Sequence, residues 1–328
     1  MMTTFALSRQ PSIRGFTLLE ILLSVTLTVI LTMILAHAAV QVGETGQLLE
    51  SELDRSGKAS LVLDLLASDL QTCLLRQDEN VWLAVDVLAA SSNSGSWVSA
   101  SGQKPKASSL LLKPPLRPEE SLINPEDYRF GMGGMWIRFF ASVEDRSRSN
   151  NGEKVAGEIN AVAYQIVRRE LTSITNLKDK TNAGYQLFRS VVRADHVFNT
   201  GYQIDTYAGP SHAGYPGEIK EPRLDSAVCD QVIDLGIVLY QRNEAGEIVE
   251  GFPNRDISLP KLQTSLQYRS PQDGIPTQAE LYVRVLSLRG ARELRWREQG
   301  TFGADEWWKF AAKESRVFSR SLSLPRAL

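Results

Sequence analysis

Glu20 is a lone carboxylate at the mouth of an uncharged run that reaches from Ile21 to Gly43. A helical run of that order spans about 30 Å, the thickness of a bilayer core. An ionised group unpaired in hydrocarbon costs on the order of 3 kcal/mol or more, so an acid placed there is a functional residue that needs a partner. A buried carboxylate beside a buried ammonium is tolerable only as a pair. Gly15, Phe16, Thr17 and Leu18 precede it directly, in the order Gly-Phe-Thr-Leu-Leu-Glu.

Other residues could carry chemistry. Cys73 and Cys229 are the only cysteines; in an oxidising compartment one bridge between them can form and persist, and two separate buried thiols are the equal alternative. Arg284, Arg289, Arg292, Arg295 and Arg297, with Trp296, form the densest basic stretch, and arginines interleaved with an aromatic can follow a nucleic-acid strand by charge and stacking. Glu293 and Glu298 interrupt it and the chain is acidic overall, at −2, so a solvated hairpin is expected there. Nucleic acid is not the expected partner.

Catalytic and metal motifs are missing. His37 belongs to the apolar run, while His196 and His212 stand in polar surroundings. Gly209 to Gly214 is one residue too long for a nucleophile elbow and reads as a turn. Gly131 to Gly134 lacks the third glycine of a dinucleotide loop and reads as a hairpin or bulge. Asp145 to Glu153 does not fit an EF-hand, and Trp307 with Trp308 reads as packing on a sheet. No metal, no cofactor and no enzymatic activity is expected.

The elements that would position these residues follow from periodicity. Leu49, Leu53, Leu61, Leu65, Leu66, Leu70 and Leu74 recur with helical spacing between Gln47 and Gln77, predicting an amphipathic continuation of the apolar helix, softened near Gly43, Gly46 and Gly57. Ala89 to Lys106 reads as an exposed loop. Beyond it the period is two: Met135 to Phe140, Ala161 to Val167, Tyr185 to Val192, Val232 to Tyr240 and Glu280 to Leu286 predict strands. Leu281, Val283 and Val285 alternate with Glu280, Tyr282 and Arg284, the pattern of an antiparallel sheet with one wet face. Arg9 and Arg14, with no acid before Gly15, hold the N-terminus in the cytoplasm.

Gly15, Phe16, Thr17, Leu18 and Glu20, followed by the apolar run, resemble the processing signal of the type IV pilin-like superfamily, the prepilins and pseudopilins. The resemblance implies that prepilin peptidase cuts between Gly15 and Phe16, and that the new terminus is N-methylated. It also implies that Phe16 and Glu20 act in assembly, the ammonium of one subunit meeting the carboxylate of the next. Further on, Asp69-Leu70-Gln71, Ala163-Tyr164-Gln165-Ile166 and Leu187-Phe188-Arg189 are similar in part to motifs of the J-type minor pseudopilins and W-type minor pilins. Those families pair an Asp-Leu-Arg-like helix end with a Tyr-x-Leu strand and a Leu-x-Arg strand. No proline lies between Pro11 and Lys104, so the proline bend of some major pilins is not available here.

The expected fold class is α+β: a long N-terminal helix, membrane-spanning in its first half and amphipathic in its second, packed on an antiparallel β-sheet head. The expected divisions are a cleaved cytoplasmic leader (1–15), a transmembrane helix (16–43), its amphipathic continuation (44–77) and a β-rich periplasmic head (78–328). The function implied is a minor pilin-like structural subunit of a type II secretion pseudopilus or type IV pilus. It would be single-pass in a bacterial inner membrane, with prepilin peptidase and other pilin-like subunits as partners. A DNA-binding or adhesive minor pilin, or a membrane-anchored periplasmic enzyme, are the alternatives.

Overall fold

The computed structural model describes residues 17–76, 80–87, 89–90, 97–98, 135–143, 159–170, 183–199, 201–202, 204, 219, 222, 226–252, 265–268, 274–298 and 304–325. Its helices are α1 (Leu18–Gln71), α2 (Ala194–Asn199), α3 (Leu288–Glu298) and α4 (Ala304–Lys313). Its strands are β1 (Leu83–Val87), β2 (Ala89–Ala90), β3 (Trp97–Val98), β4 (Met135–Ala141), β5 (Asn160–Glu170), β6 (Ala183–Val192), β7 (Ala227–Asp230), β8 (Val232–Arg242), β9 (Ile248–Phe252), β10 (Ser265–Tyr268), β11 (Pro276–Leu286) and β12 (Ser315–Ser323). The fold is α+β, a long N-terminal helix with antiparallel sheets. All five strands expected from the period of two are present. The chain divides into a unit ending at Ser51 and one beginning at Glu52.

The first unit consists, among the described residues, of Thr17 and α1 as far as Ser51. Every described side chain from Thr17 to Glu50 is exposed. The helix passes Gly43, Gly46 and, in the second unit, Gly57 without interruption.

In the second unit the strands form two antiparallel sheets and a short pair. Sheet 1 has the order β10-β1-β4-β5-β6-β7, sheet 2 the order β12-β11-β8-β9, and β2 pairs β3 within the segment expected to be a loop. The part of α1 in this unit buries Ala59, Val62, Leu63, Leu66, Ala67 and Leu70, one stripe at i, i+3 and i+4. That stripe corrects the expected one. Leu66 and Leu70 belong to it, whereas Leu49, Leu53 and Leu61 are exposed. The two alanines let the helix approach closely. The helix also ends at Gln71 rather than near Gln77: Thr72 and Cys73 turn back on Asp69 and Leu70, and Cys73 bridges to Ala141 on β4.

One buried ion pair fixes the C-terminal end of α1. Tyr164 on β5 and Arg189 on β6 face each other in register, and Asp69 lies against both. Tyr164 Oη donates to Asp69 Oδ2 at 2.5 Å; Arg189 Nε donates to Oδ2 at 2.6 Å and Nη2 to Oδ1 at 3.1 Å. A carboxylate in the last turn of a helix opposes the helix dipole, so the bidentate guanidinium is what makes this one tolerable. Burial of the phenol, and the adjacent Asp69 charge, raise the Tyr164 pKa well above its ordinary 10.0. Burial disfavours the Arg189 charge, and the bonds to Asp69 outweigh that, so its pKa is raised too.

A single residue carries the chain from one sheet to the other. Gln231 stands between β7 and β8 with φ of 65°, in the left-handed region that costs a non-glycine residue about 1 kcal/mol. Its N–H donates to the Tyr185 carbonyl on β6 at 2.8 Å, and its own carbonyl accepts from Leu286 N–H on β11 at 2.9 Å. Helix α1 is tied to the same region by Lys58, whose Nζ lies 3.0 Å from Asp54 Oδ2 and 3.1 Å from Asp230 Oδ1. Along β12, Arg316 pairs with Glu52 and Arg320 with Asp64, so β12 and this part of α1 run in the same direction.

Two outcomes are expected of a fragment from Glu52 to Leu328, which contains the described core. Asp69→Ala leaves Arg189 charged and uncompensated and should cost about 3–5 kcal/mol in urea unfolding; a loss under about 1 kcal/mol would show the pair to be peripheral. The pH dependence should be alkaline. Because the folded chain holds Tyr164 protonated above pH 10 while the unfolded chain ionises there, its contribution is complete below about pH 10 and is lost as pH rises further. Tyr164→Phe should flatten the stability profile between about pH 9 and 11 relative to wild type.

Candidate functional site

Gly15 and Phe16 lie outside the described residues, but the helix start that follows them is defined. Thr17 is the N-cap: its carbonyl accepts from the N–H groups of Glu20 (3.1 Å) and Ile21 (3.2 Å), and its Oγ1 accepts from Glu20 N–H at 3.3 Å. Glu20 answers with Oε2, which accepts from Thr17 N–H at 3.0 Å and from Thr17 Oγ1 at 3.1 Å. This reciprocal arrangement is a capping box, and it satisfies donors that a helix start leaves open. Thr-x-x-Glu ahead of an apolar run is the sequence signature of such a box; a reading confined to the charge of Glu20 misses it. Both bonds use Oε2, which leaves Oε1 to accept from elsewhere.

Beyond the cap, α1 is long and apolar enough to cross a bilayer. Its polar side chains bond to the helix itself. Ser24 Oγ donates to the Ile21 carbonyl, Thr26 to Leu23, Thr28 to Ser24 and Thr32 to Thr28, at 2.7 to 2.9 Å. His37 Nε2 and Gln41 Nε2 lie 3.1 Å apart. Such back-bonding satisfies each hydroxyl within the helix.

The arginine cluster divides into separate settings. Arg284 is buried on β11, where Nε donates to Asp234 Oδ2 of β8 at 3.1 Å. Tyr282 on the same face is buried as well, packed with Val238. The face expected to be wet is therefore covered at both positions, and Arg284 drops out of any surface patch. The other four arginines lie on α3, a helix where a hairpin was expected. Ser287 caps α3, its Oγ accepting from Gly290 N–H at 2.8 Å and its carbonyl from Ala291 N–H at 2.8 Å. Gly290 is needed for close approach: a Cβ there would meet Glu314 Cβ at 2.7 Å.

On α3, Arg297 pairs with Glu293 at 2.5 Å and lies over the Phe310 ring of α4, 4.6 Å from its centroid, pinning the two helices together. Arg295 is half-buried, donates to the Ala291 carbonyl at 3.4 Å, and lines a small cleft with Tyr185, Gln231 and Leu286. Arg289, Arg292 and Trp296 are exposed.

Cys73 and Cys229 are free and buried, the second of the two alternatives open for them. Cys73 meets β4 at Ala141, whereas Cys229 is on β7, with β5 and β6 intervening. Adjacent strands are about 4.8 Å apart and a disulfide needs Cα atoms within about 7 Å, so the bridge is out of reach. Burial pushes both thiols up, Cys229 to about 12 with help from the Asp230 charge, and Cys73 beyond that.

Among the described residues no group of three or more His, Cys, Asp or Glu side chains is placed to hold a metal ion. The side chains of His196, Trp307 and Trp308, and the whole of His212, Gly131 to Gly134, Asp145 to Glu153 and Gly209 to Gly214, lie outside the described residues.

No protein-family model and no curated protein sequence matches the chain. Among solved structures, a type IV-like pilin from Thermus thermophilus is similar at 11% identity and a TM-score of 0.30, the match covering 82% of this chain and 95% of that one. The superposition is loose at that score.

The thiol environments generate a direct test. Iodoacetamide at about pH 8 should label neither cysteine in the folded chain, because almost no thiolate forms, and both after unfolding in urea. Intact mass should show no loss of two hydrogens. Rapid native labelling of either residue, or a mass lighter by those hydrogens, would contradict the buried, unbridged arrangement.

Proposed function

We propose that the chain is a minor pilin-like subunit of a type II secretion pseudopilus or a type IV pilus, made as a prepilin and cut by prepilin peptidase between Gly15 and Phe16. The observation that carries this reading is the start of α1. A capping box at Thr17 and Glu20 opens a helix whose apolar side chains from Leu18 to Val42 all stand exposed and whose hydroxyls over that stretch bond to the helix itself. Such a surface is stable in lipid or against neighbouring helices, not in water. Residues 1–15 are then a cytoplasmic leader and 16–43 the anchor in the inner membrane. The unit from Glu52 onward is a periplasmic head that recognises other subunits through its surface rather than through catalysis.

Cleavage creates a new ammonium at Phe16, which is then methylated. In the assembled filament that cation meets the Glu20 carboxylate of a neighbour. The geometry around Thr17 supports this pairing, because Oε2 can keep the capping box while Oε1 accepts from the incoming ammonium. The DNA-binding alternative loses ground, since Arg284 is withdrawn into the sheet with Asp234.

The test is intact-mass analysis of the membrane form together with two variants. The mature chain should begin at Phe16 and carry one added methyl; a different start would overturn the processing reading. Glu20→Ala and Glu20→Gln should both be cut normally and both enter the filament poorly. Wild-type assembly in the two variants would remove the charge pairing.

A further inference from the structure

We infer that the face of α3 carrying Arg289, Arg292 and Trp296 is a contact for an anionic phospholipid surface; the inference rests on the reading of α1 as a membrane anchor. Residues at i, i+3 and i+7 share one side of a helix. Trp296 is 75% exposed on that side and Leu288, at 42%, borders it. An open indole flanked by guanidinium groups suits a membrane–water interface. The ring is apolar in body and polar at its N–H, so it rests at headgroup level, and each arginine can hold a phosphate through two parallel hydrogen bonds. Arg295 and Arg297 are used differently. The first lines the cleft under the helix and the second is held by Glu293 and Phe310, so they fix α3 while Arg289 and Arg292 face outward.

The second observation is the position of α3 in its own unit. Helices α3 and α4 join the last residue of β11, Leu286, to the first of β12, Ser315, which pair with each other. That end of sheet 2 lies against the first turns of α1 in this unit. Arg316 pairs with Glu52, and Lys58 reaches Asp230, next to the Gln231 whose carbonyl takes Leu286 N–H. Arg320, further along β12, pairs with Asp64. So α3 sits where the chain enters the unit. The chain arrives from Gly43, and even fully extended the segment from there to Glu52 reaches only about 30 Å. The face and the apolar run belong to one chain, so a lipid surface that holds the run is offered to the face intramolecularly. Individually weak headgroup contacts suffice under such a tether, because the encounter is intramolecular.

The test uses the full chain in lipid nanodiscs, either phosphatidylcholine alone or its mixture with phosphatidylglycerol, with amide hydrogen exchange read over residues 288–298. The anionic discs should slow exchange there about tenfold relative to the neutral ones, and molar salt, with a screening length of about 3 Å, should abolish the difference. Arg289→Glu combined with Arg292→Glu should abolish it too; both side chains are exposed, so the fold is retained, and unchanged exchange in sheet 2 verifies that. Equal exchange in the two lipids, or equal slowing in the charge-reversed chain, overturns the inference. Slowing by added oligothymidylate in neutral discs, with no effect of lipid charge, also overturns it and assigns the face to nucleic acid. A chain that does not co-elute with discs fails as an anchored protein, whereas one that co-elutes with α3 unprotected fails only here.

Discussion

The Asp69 carboxylate is the constraint on which the architecture of the second unit depends. It is buried in the last turn of a helix, where both desolvation and the helix dipole oppose its charge, and it is held by a guanidinium and a phenol from two neighbouring strands. Tyr164 and Arg189 can both reach it only if β5 and β6 pair in their observed register, because a slip of one residue would send either side chain to the other face of the sheet. The ion pair thus fixes strand register and helix depth together. Since the helix stops just beyond Asp69, Thr72 and Cys73 are free to turn into the sheet, where Ser142 N–H bonds to the Thr72 carbonyl and Leu74 N–H to the Phe140 carbonyl. The apolar stripe from Ala59 to Leu70 then supplies the bulk of the contact, but a stripe alone would tolerate sliding.

The second organising point is Gln231. Sheets 1 and 2 could have been joined by a long crossover, yet one residue in a left-handed conformation separates β7 from β8. Its two backbone bonds, one into each sheet, make the junction rigid. Lys58 braces the same corner from α1 by holding Asp230. Burial disfavours the ammonium, but Asp54 and Asp230 outweigh that and raise its pKa, so it stays charged. The corner therefore combines strain, hydrogen bonding and an ion pair within a few residues, and α3 projects from it.

Much of this was legible in the chain and some of it was not. Five strands follow from alternation, and the helix follows from its apolar period. Asp69, Tyr164 and Arg189 stood out through family likeness, but the likeness said nothing of their mutual contact, because they are separated by 95 and 120 residues. Alternation misled at Tyr282 and Arg284: a polar residue facing away from the main core reads as wet, and only the partner on the next strand, Asp234, accounts for its burial. The period of α3 is obscured because the helix buries little beyond Gly290 and Leu294 among its arginines. Leu61 has the right chemistry for the core stripe but stands on the wrong side of the helix, while Ala59 and Ala67, weak in hydrophobicity, lie on the right one. At the N-terminus, Thr17 and Glu20 spell a capping box openly, as Thr-x-x-Glu ahead of an apolar run.

The distance along the chain between Asp69 and its partners has a kinetic consequence. Helix α1 is made first and is locally stabilised, but the acid near its C-terminal end has no cation to meet until β6 has been synthesised. Contacts of such wide sequence separation form late, since the loop must close before any contact rewards it. A nascent chain would therefore carry a finished helix with one bare apolar stripe while the residues from Thr72 to Arg189, about a third of the chain, are made. Until then the Asp69 carboxylate has only water to face, and the same charge becomes the lock once Arg189 arrives.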